Sequence, residues 1–272
     1  MINILKAELF RLKKSKTYWV IFIINAALEI LGCVLILGIE AFLKSLGEGS
    51  LLEMLGVTVS ATAMLSEFAA FSSDTSVLAI VCSAIFLSRE FTQGTMRNAV
   101  LANKSRNELF FAYFIIAMLI GVSYFVTAFV LMLALYGAML GFGAESAASA
   151  ATNVFTYFAL GLLSVLVVET CVCLFLFSTR KQSLTIVLPL LICLLAPSII
   201  SSIIELILSG ATMAGNTISE TALQCIPFYN FNTLNPSNPS GLNVGMIALY
   251  DVILAGAFFA AAFFPFQKAD LK

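Results

Sequence analysis

The sequence contains no histidine in its 272 residues. That excludes His-ligated zinc sites, Ser-His-Asp triads and the HExxH metalloprotease pattern. Charge is scarce as well. Asp, Glu, Lys and Arg make up 11% of the chain, where a soluble domain carries about a quarter. No Gly-x-x-x-x-Gly-Lys-Ser/Thr segment occurs, so ATP cannot be held here by a phosphate loop of that kind. Cysteine is present but dispersed. Cys33, Cys82, Cys171, Cys173 and Cys193 sit in apolar runs and Cys225 lies apart, which reads as small buried hydrophobes and no disulfide framework. Cys171 and Cys173 would fall on different faces of a helix, a poor geometry for a metal. What remains is apolar: 61% hydrophobic residues and a mean hydropathy of +1.03 describe a polytopic membrane protein. The net charge of −1 matters less than where the charges fall.

The predicted fold is all-α, a polytopic bundle forming a single transmembrane domain over residues 1–272. Residues 2–16 are amphipathic. Ile2, Leu5, Leu9 and Leu12 form one stripe, and lysines with Arg11 cover the rest, as in a helix lying on a membrane surface. Six apolar stretches can span a bilayer, at about 17–39, 71–88, 109–136, 153–178, 184–208 and 244–266. Tyr18 and Trp19 mark an interface at the first. Pro189 and Pro197 kink the fifth. Residues 137–152 read as a small-residue loop, and 209–243 as a long turn-rich one. Gly256, Ala257, Ala260 and Ala261 in the sixth span suit close helix packing. Thirteen of the fourteen basic residues fall in the N-terminus, the loops at 88–108 and 179–183, or the C-terminus; Lys44 is the exception. The positive-inside rule then places both termini in the cytoplasm of a plasma-membrane protein.

The loop at 88–108 is polar and ordered. Gly94 is suited to end the preceding helix, since glycine enters the left-handed region without strain. Thr95 can cap a short helix from Met96 to about Ala102. Met96, Ala99 and Val100 then share one apolar face. Ser105-x-x-Glu108 is a capping box opening the next span.

Glu90-x-x-x-Gly94-Thr95-x-Arg97, followed by Ser105-Arg106 and a membrane helix, resembles the first cytoplasmic loop of ABC-2-type permeases. The amphipathic start, the six spans and the Phe-Gln-Lys-Ala-Asp-Leu end extend the resemblance over the whole chain. It implies a membrane subunit of an ATP-driven exporter. The loop would then form a coupling helix docking into a separate ATPase, with Glu90, Gly94, Thr95, Met96, Arg97, Val100 and Arg106 as the coupling set, Glu90 and Arg97 being placed for polar contacts with the ATPase or with the N-terminal helix. No cofactor would be bound by this chain; ATP and magnesium would sit on the ATPase. Six spans are half of the family's usual pore, which implies a homodimer or a pair of related permeases among membrane lipids. The resemblance also implies a helix pair partly re-entering the membrane within 209–243.

Acidic residues inside spans are the second candidate set: Glu29, Asp74, Glu169, Glu205 and Asp251. An acid at a helix centre costs about 2.5–3.5 kcal/mol, so such residues turn toward a cavity or a partner helix. Ser198, Ser201, Ser202 and Glu205 make a polar stripe on the fifth span. Together these residues outline a pathway for cationic or amphipathic cargo such as basic peptides; lipid and drug-like cargo fit the architecture equally. The alternative is that the acids are protonated, or bonded to hydroxyls of neighbouring helices. Two other functions fit the composition: a proton-coupled secondary transporter using the acids as relays, and a peptide-binding immunity or sensor subunit. The absence of inverted repeats weighs against the first. No catalytic constellation is present, so the chain does not read as an enzyme.

Overall fold

The computed structural model describes residues 2–45, 61, 65, 74–93, 105–139, 141–142, 146–196, 199, 202–203, 206–207 and 244–268. Among them there is no strand. The helices are α1 (Ile2–Lys14), α2 (Lys16–Ser45), α3 (Asp74–Thr92), α4 (Arg106–Met139), α5 (Ala147–Thr179), α6 (Gln182–Leu190) and α7 (Val244–Lys268). Five of these, α2, α3, α4, α5 and α7, are long and apolar enough to cross a membrane. The expected fifth span is described as α6, a π-helical turn at Leu191–Leu195, and isolated helical positions beyond Ala196. Pro189 has no N–H to donate, so the backbone ladder is interrupted just before that wider turn. The expected coupling helix at 96–102 and the re-entrant pair within 209–243 lie outside the described residues.

Length follows from apolar content. α4 has 34 residues and α5 has 33, so each extends about 50 Å against a hydrocarbon layer about 30 Å thick. The loop between them is shorter than the expected 137–152. Ala147, Ala148, Ala150 and Ala151 are strong helix formers and extend α5 toward its N-terminus. Ser146 caps it, accepting from the Ser149 N–H at 3.3 Å. At the other end Arg180 adopts φ 54° and its N–H donates to the Leu176 carbonyl at 3.1 Å, closing the tight basic turn before α6.

α5 is the central helix, with α7, α4, α6 and α3 packed around it. α2 is peripheral and presents Val20, Ile23, Ile24, Leu31 and Val34 outward, as a lipid-facing helix requires. One core layer joins Ile80, Phe125, Tyr157, Val168 and Ile247. A second joins Leu12, Leu87, Phe110, Phe177 and Phe266. Phe110 centres an aromatic cluster, 4.9 Å from Phe177, 5.1 Å from Phe263 and 5.4 Å from Phe259, which fastens α4 to α5 and α7. α7 packs through Ala255 and Ala262, while Gly256, Ala257 and Ala261 face outward. The small residues read from sequence are therefore offset by one position from the packed face.

Ser15 divides the amphipathic start from the first span. Its hydroxyl accepts from the Tyr18 N–H at 3.3 Å, capping α2. The corner is locked from both sides. The Trp19 indole N–H donates to the Lys13 carbonyl at 2.8 Å, and the Tyr124 hydroxyl on α4 donates to the Tyr18 carbonyl at 3.1 Å.

Candidate functional site

α3 is the helix that leads into the 88–108 segment, and polar bonds hold it to four neighbours, α1, α2, α4 and α5. At its far end Glu90 is fully buried. It forms an ion pair with Arg11 of α1 and accepts from the Tyr113 hydroxyl of α4 at 3.3 Å. Arg11 also donates to both carboxylate oxygens of Glu8 at 3.0 Å. Glu8 and Arg11 are three residues apart, hence on one helix face. Beside them Arg89 donates to the Thr17 hydroxyl at 3.0 Å, tying α3 to the start of α2. One guanidinium thus lies between two buried carboxyls, over the ring of Phe86 at 5.8 Å.

That arrangement leaves Glu8 short of compensation. Burial and the charge of Glu90 push its carboxyl up to about 7, against the opposing pull of Arg11. A carboxyl raised in the folded state stabilises that state when protonated, so its contribution is complete below the ordinary value of about 4.5 and is lost as pH rises through about 7. We expect α1 to be held most tightly at pH 5 and less tightly at pH 8, read as protease sensitivity of the N-terminus, and Glu8→Gln to remove the difference. An unchanged pH profile in Glu8→Gln would contradict this.

Arg106 is half-buried and donates to the Gln267 carbonyl at 2.7 Å. Gln267 in turn donates to the Asn107 side chain, so Arg106 joins the start of α4 to the end of α7. At the start of α4 the Glu108 N–H donates to the Ser105 hydroxyl at 3.3 Å. Gly94, Thr95, Met96, Arg97 and Val100 lie outside the described residues.

Two of the membrane acids, Glu29 and Glu169, sit on helix seams. Glu29 of α2 is buried and accepts from the Thr75 hydroxyl of α3 at 2.6 Å. Glu169 of α5 is fully buried and accepts from the Ser83 hydroxyl of α3 at 2.9 Å. Its second oxygen has no hydrogen-bond partner among the described residues. Glu169 lines a cavity of about 10 Å³, with Thr75, Ser76, Gly121, Ser164 and others, which is space for about one water. Thr75 therefore touches both acid sites. Asp251 of α7 is 1% exposed, and neither oxygen is hydrogen-bonded among the described residues. It is not part of the cavity lining. Asp74 opens α3, its side chain outside the description, as are Ser198, Ser201 and Glu205; Ser202 is exposed.

Sequence reasoning missed Glu8, Arg11, Tyr113, Thr75 and Ser83. One signal was available. Glu8 lies on the buried stripe with Leu5 and Leu12, and an acid on an apolar stripe requires a partner.

Residues 4–196, more than two thirds of the chain, match the family model described as ABC-2 family transporter protein. No curated protein matches the sequence.

Proposed function

The chain belongs to the ABC-2 family of transporter proteins, and from that premise we propose that it is the permease subunit of an ATP-driven exporter, coupled to a separate cytoplasmic ATPase. It is a multi-pass membrane protein. The observation that carries the coupling reading is the anchoring of α3. Carboxyl–hydroxyl bonds at Thr75 and Ser83, and the pair of Glu90 with Arg11, join this helix to α2, α5 and α1. A displacement of the segment after Gln93 is passed along α3 into the bundle. Glu90 is buried, so it acts through Arg11 and α1, while Gly94, Thr95, Met96, Arg97 and Val100 supply the contact with the ATPase. ATP-driven closure of two ATPase subunits then rocks the spans between inward and outward states. ATP and magnesium stay on the partner.

The complete unit has six spans, with 184–208 as the fifth, and pairs with a second permease copy or a homologue. Both termini are cytoplasmic in the plasma membrane. Glu29, Asp74, Glu169, Glu205 and Asp251, with Ser198, Ser201 and Ser202, favour cationic or amphipathic cargo.

Arg97→Glu tests the coupling. Charge reversal should leave insertion intact and leave hydrolysis to an ATPase no longer held by the permease, while lowering efflux of a cationic peptide about tenfold or more, the range of inter-site coupling energies. Normal efflux at normal expression would contradict the assignment.

A further inference from the structure

A cleft of about 420 Å³ opens where α1, the start of α2 and the end of α3 meet. Among the described residues four cations line it, Arg11, Lys14, Lys16 and Arg89, and no acidic side chain does. The charge of Arg11 is met by Glu8 and Glu90 behind it. Lys14, Lys16 and Arg89 have no such compensation in the lining. They come from three helices and face one space. Arg89 is oriented by its bond to Thr17, and Thr17 and Ser15 also line the cleft. Phe10 and Phe86 supply apolar wall.

The height of the cleft identifies its occupant. Trp19 is half-exposed, and outward-facing Val20, Ile23 and Ile24 follow it on α2. From Lys16 to Val20 the helix rises about 6 Å. The cations thus lie about one helical turn from the lipid-facing surface, the depth of the headgroup phosphates. Clustered ammonium and guanidinium groups with hydroxyls beside them match a phosphate with polar substituents, and the phenyl rings match the carbons below it.

We propose that this cleft is a binding site for the headgroup of an anionic phospholipid. The lipid bridges α1, α2 and α3 at the corner that precedes the 94–104 segment. It adds a link of opposite sign to the Arg11 pair and makes the seating of α3 depend on membrane composition. The proposal needs only that the helices cross a bilayer, and is independent of the ATPase assignment.

Trp19 is the single tryptophan, and its indole bonds to the Lys13 carbonyl beside the cleft. The full chain would be placed in phosphatidylcholine nanodiscs containing a minor fraction of brominated phosphatidylglycerol or, in parallel, brominated phosphatidylcholine. Trp19 fluorescence should be quenched by the brominated phosphatidylglycerol well beyond its random share, and by brominated phosphatidylcholine only at its random share. Each cation near an anionic surface contributes a factor of about five, so Arg89→Gln should lower the preference about fivefold and Lys14→Gln with Lys16→Gln about 25-fold. Lys13→Gln, outside the lining, should lower the preference by clearly less than Arg89→Gln; an equal loss would assign the preference to the general surface charge and overturn the proposal. Equal quenching by the two lipids overturns the proposal. Displacement by inorganic phosphate at constant ionic strength also overturns it, in favour of a soluble anion. Equal quenching with loss of ATPase capture in the Lys14 and Lys16 variants assigns the cleft to the protein partner instead.

Discussion

Arg11→Met should lower the stability of the folded protein by about 3 kcal/mol and release α1 from the bundle. Methionine keeps the length and the packing over Phe86 but removes the charge. Glu90, fully buried, and Glu8, 6% exposed, then face each other without the Arg11 charge between them. Removing one partner of a buried pair costs about 3–5 kcal/mol, because the remaining charge is stranded in low dielectric. The lower end applies for two reasons. The Arg11 side chain is 36% exposed, so water already screens it. Glu8 can also take up a proton, since burial has raised its carboxyl to about 7. Deleting the charges together, as Arg11→Met with Glu90→Leu and Glu8→Gln, should recover most of the loss. Denaturant unfolding in detergent and cleavage of the N-terminus read the effect. A loss below about 1 kcal/mol, the range of surface pairs, would mean that the triad is not the anchor described.

Gly121→Ala should cost about 1–3 kcal/mol by overpacking the seam between α4 and α5. A Cβ at that position meets Glu169 Oε1 at 2.7 Å, Glu169 Cγ at 2.8 Å and Val165 Cγ1 at 2.8 Å. Glu169 has no exit to solvent, and its carboxyl is already held by Ser83. The helices must separate or the Ser83 bond must break. Gly256→Ala on the outer face of α7 is the control. Its Cβ meets nothing within 4 Å, so the change should be neutral or slightly stabilising through helix propensity. Equal melting of the two variants would contradict the close approach at Gly121.

The helical character was legible in the sequence because long apolar runs admit few other structures in lipid. The ends were legible where one residue dictates them, as at Ser105 before α4. The division between the amphipathic start and the first span, expected between residues 16 and 17, falls at Ser15, a small shift that arises because both segments are helical and periodicity does not register a one-residue corner. The small-residue loop at 137–152 was misjudged because alanine is equally at home in a helix. The acids at 29, 169 and 251 were visible as unusual residues in apolar surroundings, and Glu90 as part of the polar loop motif. Hydroxyls of neighbouring helices were one expected kind of partner for the membrane acids, and this holds for Glu29 and Glu169. Which hydroxyls was not legible, since Thr75 or Ser83 looks unremarkable until packing brings it to a carboxyl 46 or 86 residues away. Arg11 was hidden among the basic residues of the N-terminus, where composition alone assigns it to the membrane surface.

Affinity capture of the tagged chain from gently solubilised membranes, with mass spectrometry of what accompanies it, tests the central claim most directly. A permease that serves a separate ATPase should bring down a soluble ATPase in stoichiometric amount, and Arg97→Glu should lose it while the chain itself remains intact. An intact, monodisperse chain recovered without any ATPase would contradict the coupling account.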